Sequence, residues 1–257
     1  MYIKVTNRMH CFRMLCSKTT LLSATLKYIT DYQPVINYGT FPIRRQFRQY
    51  SENVHVKDVA TAKRLPNPGI FKRFLLRFAL YKRKYQLMAL GYHLYNDLAE
   101  RINYSVFFKD FNMPDTFYSW FLITELHVWM LMVRFMAEGA YGKVVRNNIV
   151  DAMWTDVMVR VNKLGHIAAN VKRKQIIEIS EQFNAALIGY DEGIMSDDKV
   201  LAGALWRRYF CSECNDPEQL EKLLVYVRKQ ISLLDQIPSE EILTQSKIQW
   251  IDLRNTR

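Results

Sequence analysis

Residues 117–138, FYSWFLITELHVWMLMVRFMAE, decide the fold. Phe117, Trp120, Phe121, Ile123, Val128, Trp129, Leu131, Met132 and Phe135 place apolar side chains on nearly every side of a helix. A helix without a polar face has to be enclosed by others. The same window makes a poor membrane span, because it carries Glu125, His127 and Arg134. Each charged group near the bilayer centre costs about 2.5–3.5 kcal/mol on the insertion scale. The stretch is therefore read as the central helix of a bundle, opened by Pro114 or Asp115 and closed by Gly139.

Helical spacing continues on both sides. Upstream, Leu87, Leu90, Leu94 and Leu98 form a stripe that predicts helix over Tyr85–Ile102, continuing from a basic, apolar segment at Ile70–Lys84. Downstream, Val145, Ile149, Ala152 and Met153 predict a helix from Tyr141 to Lys163, with Asp156 and Arg160 paired at i, i+4. A further helix is expected from Ala168 to Leu187, closed by Gly189, with Tyr190-Asp191-Glu192-Gly193 as a turn. Ser196 is expected to cap a helix through Phe210. Asp216, Pro217 and Gln219 supply N-cap, N1 and N3 of the next, with Leu220, Leu223, Leu224, Val227, Ile231 and Leu234 on one face and Pro238-Ser239 at its end. No stretch alternates as a strand would. The expected fold class is all-α, a single bundle of about six to eight helices.

The N-terminal third differs in composition. The first fifty residues hold eight Lys or Arg and one Asp, and so contribute +7 of the formal +11, leaving +4 for the rest. An Arg-bearing, acid-poor, Ser/Thr-containing leader reads as a cleavable mitochondrial presequence, and Arg48-Gln49-Tyr50-Ser51 resembles a matrix-processing site. The expected organisation is a presequence at 1–50, a connector and basic amphipathic segment at 51–84, a helical domain at 85–237, and a weakly ordered C-terminal tail at 238–257. Lys57–Lys84 carries nine Lys or Arg against Asp58 alone, among them Lys72, Arg73, Arg77, Lys82, Arg83 and Lys84. Three roles fit this segment: a solvated amphipathic helix, contact with ribosomal RNA phosphates, or attachment to an anionic membrane surface.

Signatures of chemistry are missing from the sequence. There is no phosphate-binding glycine loop, no dinucleotide fingerprint and no nucleophile elbow. Cys211 and Cys214 form one C-x-x-C pair, too few ligands for a structural zinc. Glu125 and His127 are two residues apart and point in different directions on a helix, and no Glu-x-x-His pair suits a di-iron bundle. The carboxylates Asp191, Glu192, Asp197 and Asp198 are accounted for by turns and caps. The chain is expected to be no enzyme and to need no cofactor; haem or metal ligation by His127 is the rival.

Three stretches carry a resemblance. They are Met113-Pro114-Asp115-Thr116-Phe117 with Ser119-Trp120-Phe121 and Leu126-His127-Val128-Trp129, then Asn184 through Ile194, then Leu201-Ala202-Gly203-Ala204-Leu205-Trp206-Arg207. In this order they resemble the ubiquinol–cytochrome c reductase assembly chaperone family, over about Tyr85–Asp235. The resemblance implies a non-enzymatic assembly factor for respiratory complex III on the matrix side of the mitochondrial inner membrane. It implies as partners newly made cytochrome b and a small helical chaperone, and for fungal members the mitochondrial ribosome. The alternative is a ribosome-associated, RNA-binding translation factor for cytochrome b. Candidate client- or partner-binding residues are Trp120, His127, Trp129, Trp154 and Trp206, with Tyr190, Asp191, Glu192 and Asp197 as a polar loop. Lys72, Arg73, Arg77, Lys82, Arg83 and Lys84 are the candidate ribosome- or membrane-facing set, the latter as peripheral inner-membrane contact.

Overall fold

The computed structural model describes residues 70–255 apart from 166 and 213–215, with side chains from residue 80 onward. The presequence and most of the connector lie outside the described residues. Two compact units divide the described chain, one holding 70–81 and the other 82–255. The elements are α1 Ile70–Arg101, α2 Tyr104–Asp110, α3 Phe117–Met136, α4 Gly139–Lys163, α5 Ala169–Met195, α6 Asp198–Tyr209, α7 Pro217–Asp235 and α8 Ser239–Ile242, then a 3-10 turn at Leu253–Asn255. No strand occurs among the described residues, so the all-α expectation holds. Among the described residues, no helix is long and apolar enough to cross a membrane.

α3 is the axis of the larger unit. From Ser119 to Met132 every side chain is buried, as its lack of a polar face requires. It starts one turn later than Pro114 suggests. The Thr116 hydroxyl accepts from the Ser119 amide at 3.3 Å, and Thr116 is the N-cap. Gly139 does not close α3 but opens α4, with φ +54°. α4, α7 and α2 pack on α3, and α5 pairs with α6. α1 contributes Leu87, Leu90, Leu94 and Leu98, all buried, and lies so close to α4 that a Cβ on Gly91 would stand 2.7 Å from the Val145 carbonyl oxygen.

Three further expectations are corrected. Tyr190–Gly193 is not a turn, because α5 runs unbroken through Gly189 and Gly193 to Met195. Gly193 serves close approach instead. A Cβ there would meet the Leu201 Cα at 2.7 Å, which lets the end of α5 lie against α6. Asp197, not Ser196, caps α6, its carboxylate accepting from the Val200 amide at 3.1 Å.

The third correction concerns residues 238–257, which are not a loose tail over their described length. Ile242, Ile248 and Leu253 are buried. The Ile248 amide donates to the Asp97 carboxylate at 3.2 Å. The Gln230 side chain, itself fully buried, clamps the segment: its Nε2 donates to the Gln249 carbonyl at 3.2 Å and its Oε1 accepts from the Ile251 amide at 2.9 Å. Arg254 reaches Asp110 at 2.9 Å, and Lys222 meets the same carboxylate at 2.6 Å; these contacts hold the Asp110 carboxyl below the usual carboxylate range. An extended strap whose amides are satisfied by side chains leaves no helical period to read.

Candidate functional site

Among the polar groups that α3 carries into the core are those of Glu125, His127 and Trp129. Each is held by a different set of helices, and together they define the centre on which the candidate residues converge.

Glu125 is fully buried and Arg208 of α6 nearly so. Arg208 Nε donates to Glu125 Oε1 at 2.8 Å and Nη2 donates to Oε2 at 2.6 Å, a two-point contact. Arg208 Nη1 also donates to the Tyr118 hydroxyl and to Gln182 Oε1, both at 3.0 Å, while the Tyr118 hydroxyl donates to Gln182 at 3.0 Å. The Tyr190 hydroxyl donates to Glu125 Oε1 at 3.3 Å. Burial pushes the Glu125 carboxyl up and Arg208 pulls against it. For Arg208, desolvation is outweighed by the attraction of Glu125, and the guanidinium is held charged more firmly than usual. The two-point contact, with Tyr190 and Gln182 around it, ties α3, α5 and α6 together. Sequence reasoning weighed Glu125 only as a metal ligand and missed Arg208. The available signal was a carboxylate in an otherwise apolar helix, which needs a buried cation.

His127 Nδ1 lies 2.6 Å from the Ile123 carbonyl and Nε2 2.6 Å from the Tyr226 hydroxyl. A carbonyl only accepts, so Nδ1 carries the proton; burial lowers the imidazole pKa to about 4, so the ring is neutral and Nε2 accepts from Tyr226. Phe107 packs edge-on at 5.5 Å and Trp250 of the strap at 5.0 Å between centroids. Both ring nitrogens are engaged, which argues against haem or metal ligation at this residue. A Tyr226→Phe variant is expected to lose about 1–3 kcal/mol by orphaning Nε2, measured by urea denaturation. The folded pKa lies below the unfolded value near 6.5. The unfolded chain therefore binds the extra proton first, and stability is expected to fall as pH drops from about 6.5 towards 4. A stability–pH titration checks this contribution.

Trp129 is the third group. Its indole N–H donates to Asp191 Oδ1 at 2.8 Å, and its ring lies 5.0 Å from that of Tyr190. Trp129 and Tyr190 are buried and Asp191 is half-buried. Burial raises the Asp191 carboxyl, against the pull of Trp129 and Arg146. Trp129, Tyr190 and Asp191 are thus brought together, on α3 and α5, and do not form a polar loop.

The remaining candidates lie apart. Trp120 is buried under the Arg160 guanidinium, 4.1 Å from the ring centroid, and Arg160 in turn pairs with Asp156 at 3.0 Å. Trp154 is half-buried against Phe121 and Phe183. Trp206 is half-buried, and Glu192 and Asp197 are exposed. In the basic set, Lys82 is exposed, Lys84 is half-buried, and Arg83 lies 5.7 Å from the Tyr141 ring centroid. Lys72, Arg73 and Arg77 stand on the first turns of α1. No cluster of metal-ligating side chains occurs among the described residues.

The fold and its buried centre define a helical scaffold in which α3 is locked by polar ties to α5, α6 and α7. Its architecture is similar to that of the Cbp3 homolog from Brucella abortus: TM-score 0.59, 22% identity, covering 69% of this chain and 98% of that one. That likeness speaks to the fold. Residues 109–250 match the family described as Ubiquinol-cytochrome C chaperone. Ubiquinol-cytochrome c reductase complex assembly factor 1 of Drosophila melanogaster is 50% identical over 190 residues, 72% of this chain and 73% of that protein. The Homo sapiens protein of that name is 39% identical over 203 residues, 76% of this chain and 68% of that protein. The chain belongs to the ubiquinol–cytochrome c chaperone family.

Proposed function

We propose that the chain is a mitochondrial, non-enzymatic assembly chaperone for respiratory complex III. It holds newly made cytochrome b on the matrix side of the inner membrane, together with a small helical partner chaperone. The observation that carries this is the 50% identity, across 190 residues, to a protein named as a complex III assembly factor. Physical chemistry supports a holding role. The helices of a membrane subunit are strongly apolar and aggregate until lipid and partners cover them. The polar groups on α3 are spent on partners from α5, α6 and α7, so this scaffold works by presenting surface. Of the sequence-predicted residues, Trp206 is half-buried well inside α6, and Glu192 and Asp197 are exposed where α5 passes into α6. Met195, 79% exposed, stands among them, and an unbranched thioether adapts to varied partners. The buried candidates, Trp120, His127, Trp129 and Tyr190, act through the shape they give that surface.

The test is affinity purification of the tagged chain from mitochondria. Newly made cytochrome b and a small helical chaperone should co-isolate, and recovery of neither would refute the assignment. A second role is favoured by the basic first turns of α1: contact with the mitochondrial ribosome through Lys72, Arg73, Arg77 and Lys82. If reversing those charges lowers cytochrome b synthesis while leaving its capture intact, the segment is the ribosome contact.

A further inference from the structure

Between Asp156 and Glu178 the chain carries five Lys or Arg and no acidic residue. This stretch is the corner where α4 ends and α5 begins. The corner is also greasy: Val159 is 46% exposed, Leu164 44%, Ile167 39% and Val171 43%. Leu164 and Ile167 share a tight turn, in which Gly165 takes φ +75° and the Ile167 amide donates to the Gly165 carbonyl at 3.0 Å. Arg160 and Lys163 complement the helix C-terminus, but that role does not account for four aliphatic side chains held in water beside them.

We infer that the α4–α5 corner docks the protein on an anionic bilayer surface. Leu164, Ile167 and Val171 enter the headgroup boundary, and Lys163 and Lys174 reach the lipid phosphates. The residue types select this partner. Protein interfaces favour aromatic side chains, Met and Arg, and are depleted in Lys, and single-stranded RNA is gripped by stacked aromatics. Exposed aliphatics flanked by lysines, with no Phe, Tyr or Trp from 157 to 177, match the interfacial pattern, in which lysine stems lie along apolar surface and the ammonium reaches the headgroups. Lys174 keeps its side chain 80% exposed, with Glu178 no nearer than 3.9 Å. The inference rests on the assembly-chaperone role only for which membrane is met in the cell.

The experiment is flotation of the full chain with vesicles of phosphatidylcholine plus phosphatidylglycerol, against phosphatidylcholine alone. The wild type should float with the anionic vesicles and much less with the neutral ones. Leu164→Ser with Ile167→Ser, and separately Lys163→Glu with Lys174→Glu, should weaken binding on the order of tenfold. Because these side chains are exposed, the serine variant should keep the wild-type melting curve, and the charge-reversed one should shift it only slightly through the helix end at Lys163. No binding by the wild type overturns the inference, as does binding unchanged in both variants, or binding lost only on charge reversal at Lys72, Arg73 and Arg77. An RNA oligonucleotide that competes the vesicles off the corner would make it a nucleic-acid site and also overturn it. Both corner variants should still capture cytochrome b from detergent extract. Failure of capture in the wild type, with vesicle binding intact, sinks the chaperone role and not this contact.

Discussion

Replacing Arg208 with alanine is expected to cost about 3–5 kcal/mol of stability, because it leaves the Glu125 carboxylate buried without its cation. That is a large share of the whole stability of a domain this size, about 5–15 kcal/mol. Glu125→Ala should cost a similar amount by stranding the guanidinium. The double variant Glu125→Leu with Arg208→Met should be less damaged than either single one, since it removes both charges and fills the space. Guanidinium denaturation with an unchanged slope measures the difference. A loss below about 1 kcal/mol for Arg208→Ala would mean that the ion pair is open to water, as surface pairs are, and that α3, α5 and α6 are not tied as described.

Trp129→Ala is the second large effect, at about 3–5 kcal/mol for deleting a buried indole. Trp129→Phe keeps a ring against Tyr190 but removes the donor to Asp191, and should cost less. The comparison separates two roles for this residue. If Trp129 is a scaffold residue, capture of client falls in proportion to lost stability, and the phenylalanine variant keeps most of both. If it met the client directly, Trp129→Phe would abolish capture while the melt stayed near wild type. Glu192→Lys and Trp206→Ala should show the opposite pattern to Trp129→Ala, losing capture with the melt little changed.

The fold was legible where period and burial coincide. α3 has no polar side, and Leu87 through Leu98 and Leu220 through Leu234 keep a strict helical stripe, so these elements could be read locally. Gly189 and Gly193 look like punctuation and hide the continuity of α5. Their actual use, allowing the Leu201 backbone to approach, depends on a neighbour that no local pattern displays. The strap after Pro238 was missed for the same reason. Its three buried apolar residues are spaced irregularly, and its amides are satisfied by Asp97 and Gln230 from distant helices. Of the candidate site, the tryptophans and His127 were visible by type and position. Arg208 was not, since the pair it makes with Glu125 spans eighty-three residues. Tyr190 and Asp191 read locally as a loop, whereas helical continuity places them against Trp129.

The central claim is that this scaffold is required to carry cytochrome b into complex III. Its most direct test is native gel electrophoresis of mitochondrial membranes from cells lacking the chain, with pulse-labelled cytochrome b followed in parallel. The account predicts loss of assembled complex III and rapid decay of the labelled subunit, both restored by the wild-type chain but not by Arg208→Ala. Normal complex III with normal cytochrome b lifetime in those cells would contradict it.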